Sequence, residues 1–585
     1  MRIPVFLSVL LALGACAGPQ AVRAPSAAVD VSIIAFNDFH GALRPPREAV
    51  PAIAPGGGEV RVPAGGAVYL AEAVRTLRER NPNSAVVSAG DLISASQLIS
   101  AQFLDEPTIL AMNMIGLDFN AVGNHEFDRG EAELRRMQAG GCVQHTRARP
   151  CQVDADFPGA RFGFLAANVR ARDGNTIFPA YGMRSFGSGD NQVQVAFIGL
   201  TLEGTPTLVT PAGVAGLTFA DEADTINALI PRLRAEGADA IVVLIHQGLT
   251  FEREYDLGGC AAMAGDLMPI LARLDPEVDL VVSGHTHDSY VCDFSRVDRT
   301  RPFLVTSAAR RGTMLTHITL SVDPVRGVVG RSAEQVIVQG EPFQGSAGTV
   351  ELRADHPRFE RHPAVEQLVD RYAAASATIG ARVVGRLAAP APKESTASGE
   401  SVLGNLIADA ALAATRGPAA GGAQLAFTNL TGVRTDLVPG QDGAVTFGQL
   451  FEVQPFGNNW VVKSMTGRQI RSVLEQQFES GSNTVARPIM LAPSQGVTYA
   501  YDLTRPAGQR ILDLRLNGGP IAEDRAYRVT MNSFLAAGGD NFTAFREGTD
   551  SFDGPIDIEA LERYIASAGR LVPPQTNRIT RLSPR

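Results

Sequence analysis

Five short runs of metal-ligand residue types recur through the first half of the chain, each at or just behind an apolar, β-branched stretch. They are Asp38-Phe39-His40, Gly90-Asp91, Gly123-Asn124-His125-Glu126, His246-Gln247-Gly248 and Gly284-His285-Thr286-His287. A buried strand that ends in a polar side chain delivers it to the rim of its sheet, and its parallel neighbours deliver theirs to the same rim. A chain patterned in this way needs a fold in which several strand ends converge. Alternate residues of a strand share a face, so Asp38 and His40 can reach one ion, while His285 and His287 can serve one ion or two adjacent ones. Glycine before Asp91 permits close backbone approach. A carboxylate has oxygens for two cations, which makes Asp91 the natural bridge. Asn124 adds a neutral amide oxygen, and His246 ends an apolar run. Imidazole and oxygen donors without thiolate suit Zn, Mn, Fe or Co, so two divalent metal ions are the expected cofactors.

Around these motifs, strand-like runs at 31–37, 85–88, 193–200, 240–245, 280–283 and 303–306 alternate with amphipathic stretches at 67–80, 221–236 and 263–274. That alternation predicts an α/β domain with layers on both faces of its sheet. The segments 44–63 and 142–162 read as surface loops. A charged, turn-rich stretch at 341–361 leads into a helix over 362–379 that Gly380 could cap. A second α/β domain follows, with helices at 401–414 and 467–478, strands at 425–428 and 460–465, and a late Gly538-Gly539-Asp540 turn. The 585 residues are enough for two such domains.

The formal net charge of −9 argues against a protein that coats a nucleic acid polymer. The first residues read as an export signal: Arg2, an apolar stretch too short to span a bilayer, then Leu13-Gly14-Ala15-Cys16, which resembles a bacterial lipobox. A lipid anchor on Cys16 would hold the protein to a membrane outside the cytoplasm, and a plain secretory cleavage near Ala17 is the alternative. Four cysteines remain, Cys142, Cys151, Cys260 and Cys292. An even count in an exported chain suggests disulfides, and three sets of pairs are possible. Cys142–Cys151 with Cys260–Cys292 is the favoured set, because the first closes a short local loop and the second clamps the segment bearing His285 and His287.

The runs Asn37-Asp38-Phe39-His40-Gly41, Gly90-Asp91, Gly123-Asn124-His125-Glu126-Phe127-Asp128 and Gly284-His285-Thr286-His287 resemble the calcineurin-like metallophosphoesterase superfamily. Length, export signal and second half narrow the resemblance to bacterial 5′-nucleotidases and UDP-sugar hydrolases. It implies a four-layer αββα metallophosphoesterase domain at 30–340, a linker with a helix at 341–380 and a nucleotide-binding domain at 381–585, behind a signal at 1–16 and a tether at 17–29. It assigns Asp38, His40, Asp91 and His287 to one metal and Asp91, Asn124, His246 and His285 to the other. His125, steadied by Asp128, resembles the catalytic residue.

In the second half, Gln454-Pro455-Phe456-Gly457-Asn458 and the run from Asn532 to Asp540 resemble the family's nucleoside-binding segments. The implied picture stacks a base between Phe456 and Phe534, with Asn458 and Asp540 bonding to base or ribose. Asn429-Leu430-Thr431-Gly432-Val433-Arg434 departs from the family's glycine-rich version. Arg434 is kept as a phosphate ligand, and Lys393 is the only cation in the stretch where relatives carry a further arginine. The expected activity is hydrolysis of nucleotides to nucleoside and phosphate outside the cytoplasm, with a small-molecule nucleotide and no protein as partner. A 2′,3′-cyclic-nucleotide phosphodiesterase, a nucleotide-sugar hydrolase and a non-catalytic surface nucleotide-binding lipoprotein are the alternatives.

Overall fold

The computed structural model describes residues 27–251, 255–256, 259–260, 263–345 and 348–583. The expected signal, Cys16 and most of the tether lie outside them. Among the described residues no helix is long and apolar enough to cross a membrane.

Two sheets form the first domain. One has six strands in the order Gly327–Ile337, Met314–Asp323, Val29–Phe36, Ser84–Ser88, Phe119–Ala121, Gly163–Leu165. The other has seven, with Ala240–His246 between Leu280–Ser283 and Val193–Thr201. Strand alternation sets the layering. Val31, Ile33 and Ala35 point inward and meet Val195, Phe197, Val242 and Leu244 of the other sheet. Ile34 and Phe36, on the opposite face, pack with the helices Ala67–Arg80 and Glu106–Ile115. Ile241, Val243 and Ile245 pack outward on Glu222–Ala235 and Leu267–Leu271. The result is the four-layer αββα stack that the resemblance implies. Strands covered on both faces read as unbroken apolar runs, which is why they were legible in the sequence.

The neighbouring strands that precede the motifs run parallel: Val29–Phe36 with Ser84–Ser88, Ser84–Ser88 with Phe119–Ala121, and Ala240–His246 with Leu280–Ser283. Their carboxyl ends therefore share a rim, as the site requires.

The second domain has a five-stranded sheet centred on Leu425–Asn429, Ala526–Asn532 and Asn459–Thr466, and a four-stranded sheet that includes Val497–Tyr501. Leu403, Ile407 and Trp460 pack on one face of the larger sheet, and Phe427, Ile470 and Leu474 on the other. The helix Val402–Thr415 starts where the Ser401 hydroxyl accepts from the Gly404 N–H, and a Thr446–Gln449 capping box starts Phe447–Val453.

Four local expectations need correction. The 44–63 segment is not a plain loop. It contains a hairpin, Ala49–Ile53 against Glu59–Pro63, whose turn uses Gly57 and Gly58 at φ 82° and 89° and whose Val50, Ala52 and Val62 are buried. The helix expected at 263–274 is confined to Leu267–Leu271, behind Gly265 and ahead of the Asp275-Pro276 turn. The helix expected to reach 478 ends at Glu475. Gly380 does not cap its helix. It closes Pro363–Gly380 in right-handed conformation, and the Ala381 N–H still returns to the Ala377 carbonyl. A Cβ on Gly380 would stand 3.3 Å from Leu98, and one on Gly448 would stand 3.1 Å from the Gly380 oxygen, so small residues here let both domains approach the helix. Its apolar face, Val365, Leu368, Val369 and Tyr372, belongs to the first domain's core.

Both favoured disulfides are present, Cys142–Cys151 and Cys260–Cys292.

Candidate active site

The seven expected ligands crowd one pocket at the shared rim. His40 Nε2 lies 3.7 Å from Asp91 Oδ2 and 3.3 Å from His287 Nε2, and His287 Nε2 lies 3.3 Å from Asp38 Oδ1. On the other side of Asp91, His246 Nε2 is 3.1 Å from Asp91 Oδ2 and 3.1 Å from Asn124 Oδ1, and His285 Nδ1 is 3.1 Å from that same oxygen. Asp91 thus borders both groups.

The backbone is distorted to achieve this. Asp38, His40, Asp91, His285 and His287 all adopt left-handed φ, at 50°, 48°, 54°, 71° and 63°. For residues other than glycine this conformation costs about 1–3 kcal/mol each and persists only where the surroundings enforce it. Here the enforcement is visible. The Asp38 N–H donates to the Gly90 carbonyl at 3.0 Å, the His40 N–H to the Asp91 carbonyl at 2.9 Å, and the His285 N–H to Asp38 Oδ2 at 2.9 Å. The Glu126 carboxylate accepts from the N–H groups of Asp91, Leu92 and Gly123 at 2.9, 2.7 and 2.7 Å. Sequence reasoning gave Glu126 no role; it ties the Asp91 loop to the Asn124 loop. A Cβ on Gly90 would meet His246 Nδ1 at 2.6 Å and one on Gly123 would meet Asp91 Oδ1 at 2.2 Å, so neither position admits a side chain.

The donor set fits divalent cations. His40 Nδ1 faces the Ser94 carbonyl at 3.0 Å and His246 Nδ1 faces the Ala89 carbonyl at 2.7 Å. A carbonyl only accepts, so each Nδ1 donates, and a neutral ring then turns the Nε2 lone pair toward the carboxylates. Burial holds His40 and His287 well below the ordinary histidine range and His285 down to about 4, so these rings are neutral electron-pair donors. His246 is the exception. Burial would depress it, but Asp91 and Asp38 outweigh burial and raise it to about 10. A proton there supplies the positive charge that these acidic groups demand, and a cation would replace it.

His125 stands beside this cluster. Its Nδ1 is 2.8 Å from Asp128 Oδ2, and its N–H donates to Asp91 Oδ1 at 2.9 Å. Burial would lower the imidazole, but Asp128 and Asp91 overcome it and lift His125 above its ordinary value. Cations at Asp91 would offset that residue's share and leave Asp128 as the deciding partner.

The second domain forms the opposite wall of a cleft of about 1140 Å³. Phe456 stacks on His125, ring centroids 5.7 Å apart and planes 23° apart, and the Arg434 guanidinium lies 5.8 Å from the Phe456 centroid. An Arg434 Nη is 3.4 Å from His40 Nε2. Phe534 lies over Gly539, where a Cβ would come within 2.5 Å of its ring. Asp540 accepts from Asn429 Nδ2 at 2.7 Å and from the Thr431 hydroxyl, and Asn532 Nδ2 donates to Asn429 Oδ1 at 2.9 Å. Asn458 Oδ1 accepts from the Ser533 hydroxyl at 3.0 Å. Phe456, Phe534, Asn429, Asn458, Asp540 and Arg434 all line the cleft, and Lys393 lines it as well.

Arg310, Arg311 and Asp557 are among the cleft residues that escaped the sequence reading. Arg310 and Arg311 follow the strand Leu304–Ala308 and bring two more cations to a clamp in which Lys393 had been the only one expected beside Arg434. Asp557, at the start of the helix Asp557–Ala566, accepts from the Asn458 N–H at 3.2 Å, and burial pushes its carboxyl up to about 7. The adjacent arginines were a visible signal. Asp557 carried none, because it lies 99 residues from its partner.

Residues 31–289 match the calcineurin-like phosphoesterase model, and residues 383–547 match the C-terminal domain of 5′-nucleotidases. The chain belongs to the 5′-nucleotidase family. Its matched domains are those of a metal-dependent phosphohydrolase. A cell wall protein of Listeria monocytogenes, Lmo0130, is 30% identical over 98% of this chain and 72% of its own length. Endonuclease YhcR of Bacillus subtilis is 28% identical over 93% of this chain, which spans only 40% of YhcR. Among solved structures, the 5′-nucleotidase precursor of Thermus thermophilus superposes with a TM-score of 0.72 at 25% identity, covering 95% of this chain and 99% of the other.

Proposed function

We propose that this chain is an exported phosphohydrolase that carries two divalent metals and releases phosphate from nucleotides. The observation that supports the reading is the clustering of seven candidate metal-ligand side chains, four of which (Asp91, Asn124, His285 and His287) line a cleft that the second domain walls with aromatic and amide side chains. Asp38, His40, Asp91 and His287 would hold one cation, and Asp91, Asn124, His246 and His285 the other. Divalent cations held there would supply an activated water and neutralise phosphoryl charge.

The remaining steps belong to the chain's own groups. Arg434 is oriented over the cluster to grip a phosphoryl oxygen. His125, kept protonated by Asp128, donates to the leaving oxygen or to the charge that develops there. Phe456 and Phe534 offer two apolar faces to the base, worth roughly 1–3 kcal/mol per stacked base. Asn458 and Asp540 are placed to bond with base or ribose, and Asn429 orients the Asp540 carboxylate. Both disulfides favour a compartment outside the cytoplasm, where such bonds persist, and the lipobox-like Cys16 favours a membrane anchor there.

Turnover of AMP, ATP, UDP-glucose, 2′,3′-cyclic AMP and bis-p-nitrophenyl phosphate, read as free phosphate for the first two and as mononucleotide or nitrophenol for the other three, and measured beside metal analysis of the purified protein, tests the reading. Fast release from AMP or ATP with about two metals per chain is expected. Preference for the cyclic or sugar nucleotide would favour the diesterase alternatives. Fully metal-loaded protein inert on all five would leave only a binding function.

A further inference from the structure

The two aromatic faces of the base slot sit on different segments, and one buried carboxylate lies where those segments meet. The strand Asn459–Thr466 runs antiparallel between Ala526–Asn532 and Thr549–Ile556, with Trp460 opposite Asn532 and Asn459 opposite Ile556. Three strand ends therefore share one rim of the second domain. Phe456, Gly457 and Asn458 lead into the first strand, Ser533 and Phe534 leave the second, and Asp557 follows the third.

Asp557 is 3% exposed and lines the cleft. Its backbone and its side chain both grip Asn458. The Asp557 N–H donates to the Asn458 carbonyl at 2.8 Å, and the Asn458 N–H donates to Asp557 Oδ2 at 3.2 Å. Asp557 Oδ1 accepts from the Ile558 N–H at 2.7 Å, so each carboxylate oxygen meets a backbone donor. Asn458 Oδ1 in turn accepts from the Ser533 hydroxyl at 3.0 Å. A chain of hydrogen bonds thus runs from Asp557 through Asn458 to the residue beside Phe534. Gly457, between Phe456 and Asn458, takes a left-handed φ of 64°, and a Cβ there would meet nothing within 4 Å. The turn is therefore held from Asn458 rather than by packing at its tip. A buried carboxylate is unfavourable unless its oxygens are hydrogen-bonded, so the Asp557 side chain and the Asn458 backbone hold each other in place.

We infer that Asp557 is a positioning residue for nucleobase recognition: acting through Asn458, it fixes the placement of Phe456 relative to Phe534 and tightens binding of the nucleoside part of the substrate. The inference rests on the base slot of the proposed function, and binding can be measured without turnover.

Calorimetric titration of the metal-loaded full chain with adenosine, and separately with orthophosphate, tests it. Asp557→Asn keeps the size of the side chain but offers one acceptor oxygen to two N–H groups. Adenosine affinity should fall by about three- to tenfold, the effect of one lost hydrogen bond, while orthophosphate affinity changes by less than about twofold. Ser533→Ala should also weaken adenosine. In the double variant the loss should depart from the product of the single losses by about threefold or more, because both ties end on Asn458. Amide hydrogen exchange in the wild type gives a second reading that needs no variant: the Asn458 N–H should exchange slowly, and more slowly still with adenosine bound. Wild-type adenosine affinity in Asp557→Asn, equal weakening of adenosine and orthophosphate, single losses that simply multiply, or an Asn458 amide that exchanges like a solvated loop overturns the inference and leaves the base slot standing. Adenosine that fails to bind the wild type would remove the base slot itself, and the inference with it.

Discussion

Phe456 is the residue whose replacement best separates base recognition from chemistry. Its ring touches the His125 imidazole at a centroid distance of 5.7 Å and the Arg434 guanidinium at 5.8 Å, and in the proposed reading it would also stack on the base. Phe456→Ala removes a base stack worth roughly 1–3 kcal/mol and a cation–π contact worth about 0.5–2 kcal/mol. With AMP both terms are lost, so kcat/KM should fall by about one to almost four orders of magnitude. With glycerol phosphate, which has no base, only the contacts to Arg434 and His125 are lost, and a fall of about two- to thirtyfold is expected. The ratio of the two effects isolates the stack, about five- to 150-fold. Phe534→Ala has no contact with His125 or Arg434 to lose, so it should affect AMP and spare glycerol phosphate. Steady-state phosphate release with both esters, on both variants, is the assay. Equal losses on AMP and glycerol phosphate in Phe456→Ala would refute the base slot and leave Phe456 as a prop for His125.

Other outcomes follow from the same geometry. Chelation should abolish phosphate release and lower the melting temperature, and divalent metal should restore both, since a ligand at about 100 times its Kd adds about 2.7 kcal/mol; Asp91→Ala should show neither loss nor recovery, because the proposed bridging carboxylate is gone. Opening Cys260–Cys292, with a sequence separation of 32, should cost about 3–4 kcal/mol in urea unfolding, and Cys142–Cys151, with a separation of 9, about 2–3 kcal/mol; equal midpoints with and without reductant would contradict this. Asp557, raised to about 7 in the fold, binds its proton more tightly folded than unfolded. Its stabilising share is therefore complete below about pH 4 and lost as pH rises through about 7, up to about 4 kcal/mol for three units. Against Asp557→Asn, the wild type should lose stability between pH 5 and pH 8, as read from urea midpoints; a parallel pH dependence of the two would exclude Asp557 as the source.

The first domain's strands were legible because burial on both faces leaves continuous apolar runs, and the ligand motifs stood out because each follows such a run. The 49–63 hairpin was hidden by its glycine-rich turn, which reads as loop when the alternation of Val50, Ala52 and Val62 is overlooked. The helix at Leu267–Leu271 was overestimated because its apolar periodicity extends past Gly265 and toward Pro276, where the backbone turns away.

By itself, the sequence determined which side chains could hold metal and that parallel strands would carry them to a common rim, because residue chemistry and strand periodicity are local properties. Only the tertiary structure decided that five of those candidate ligands adopt left-handed backbone, that Phe456 rests on His125, and that Arg311 reaches the Arg434 carbonyl across the domain boundary. Those outcomes depend on segments tens to hundreds of residues apart pressing on one another, and no local pattern encodes that pressure.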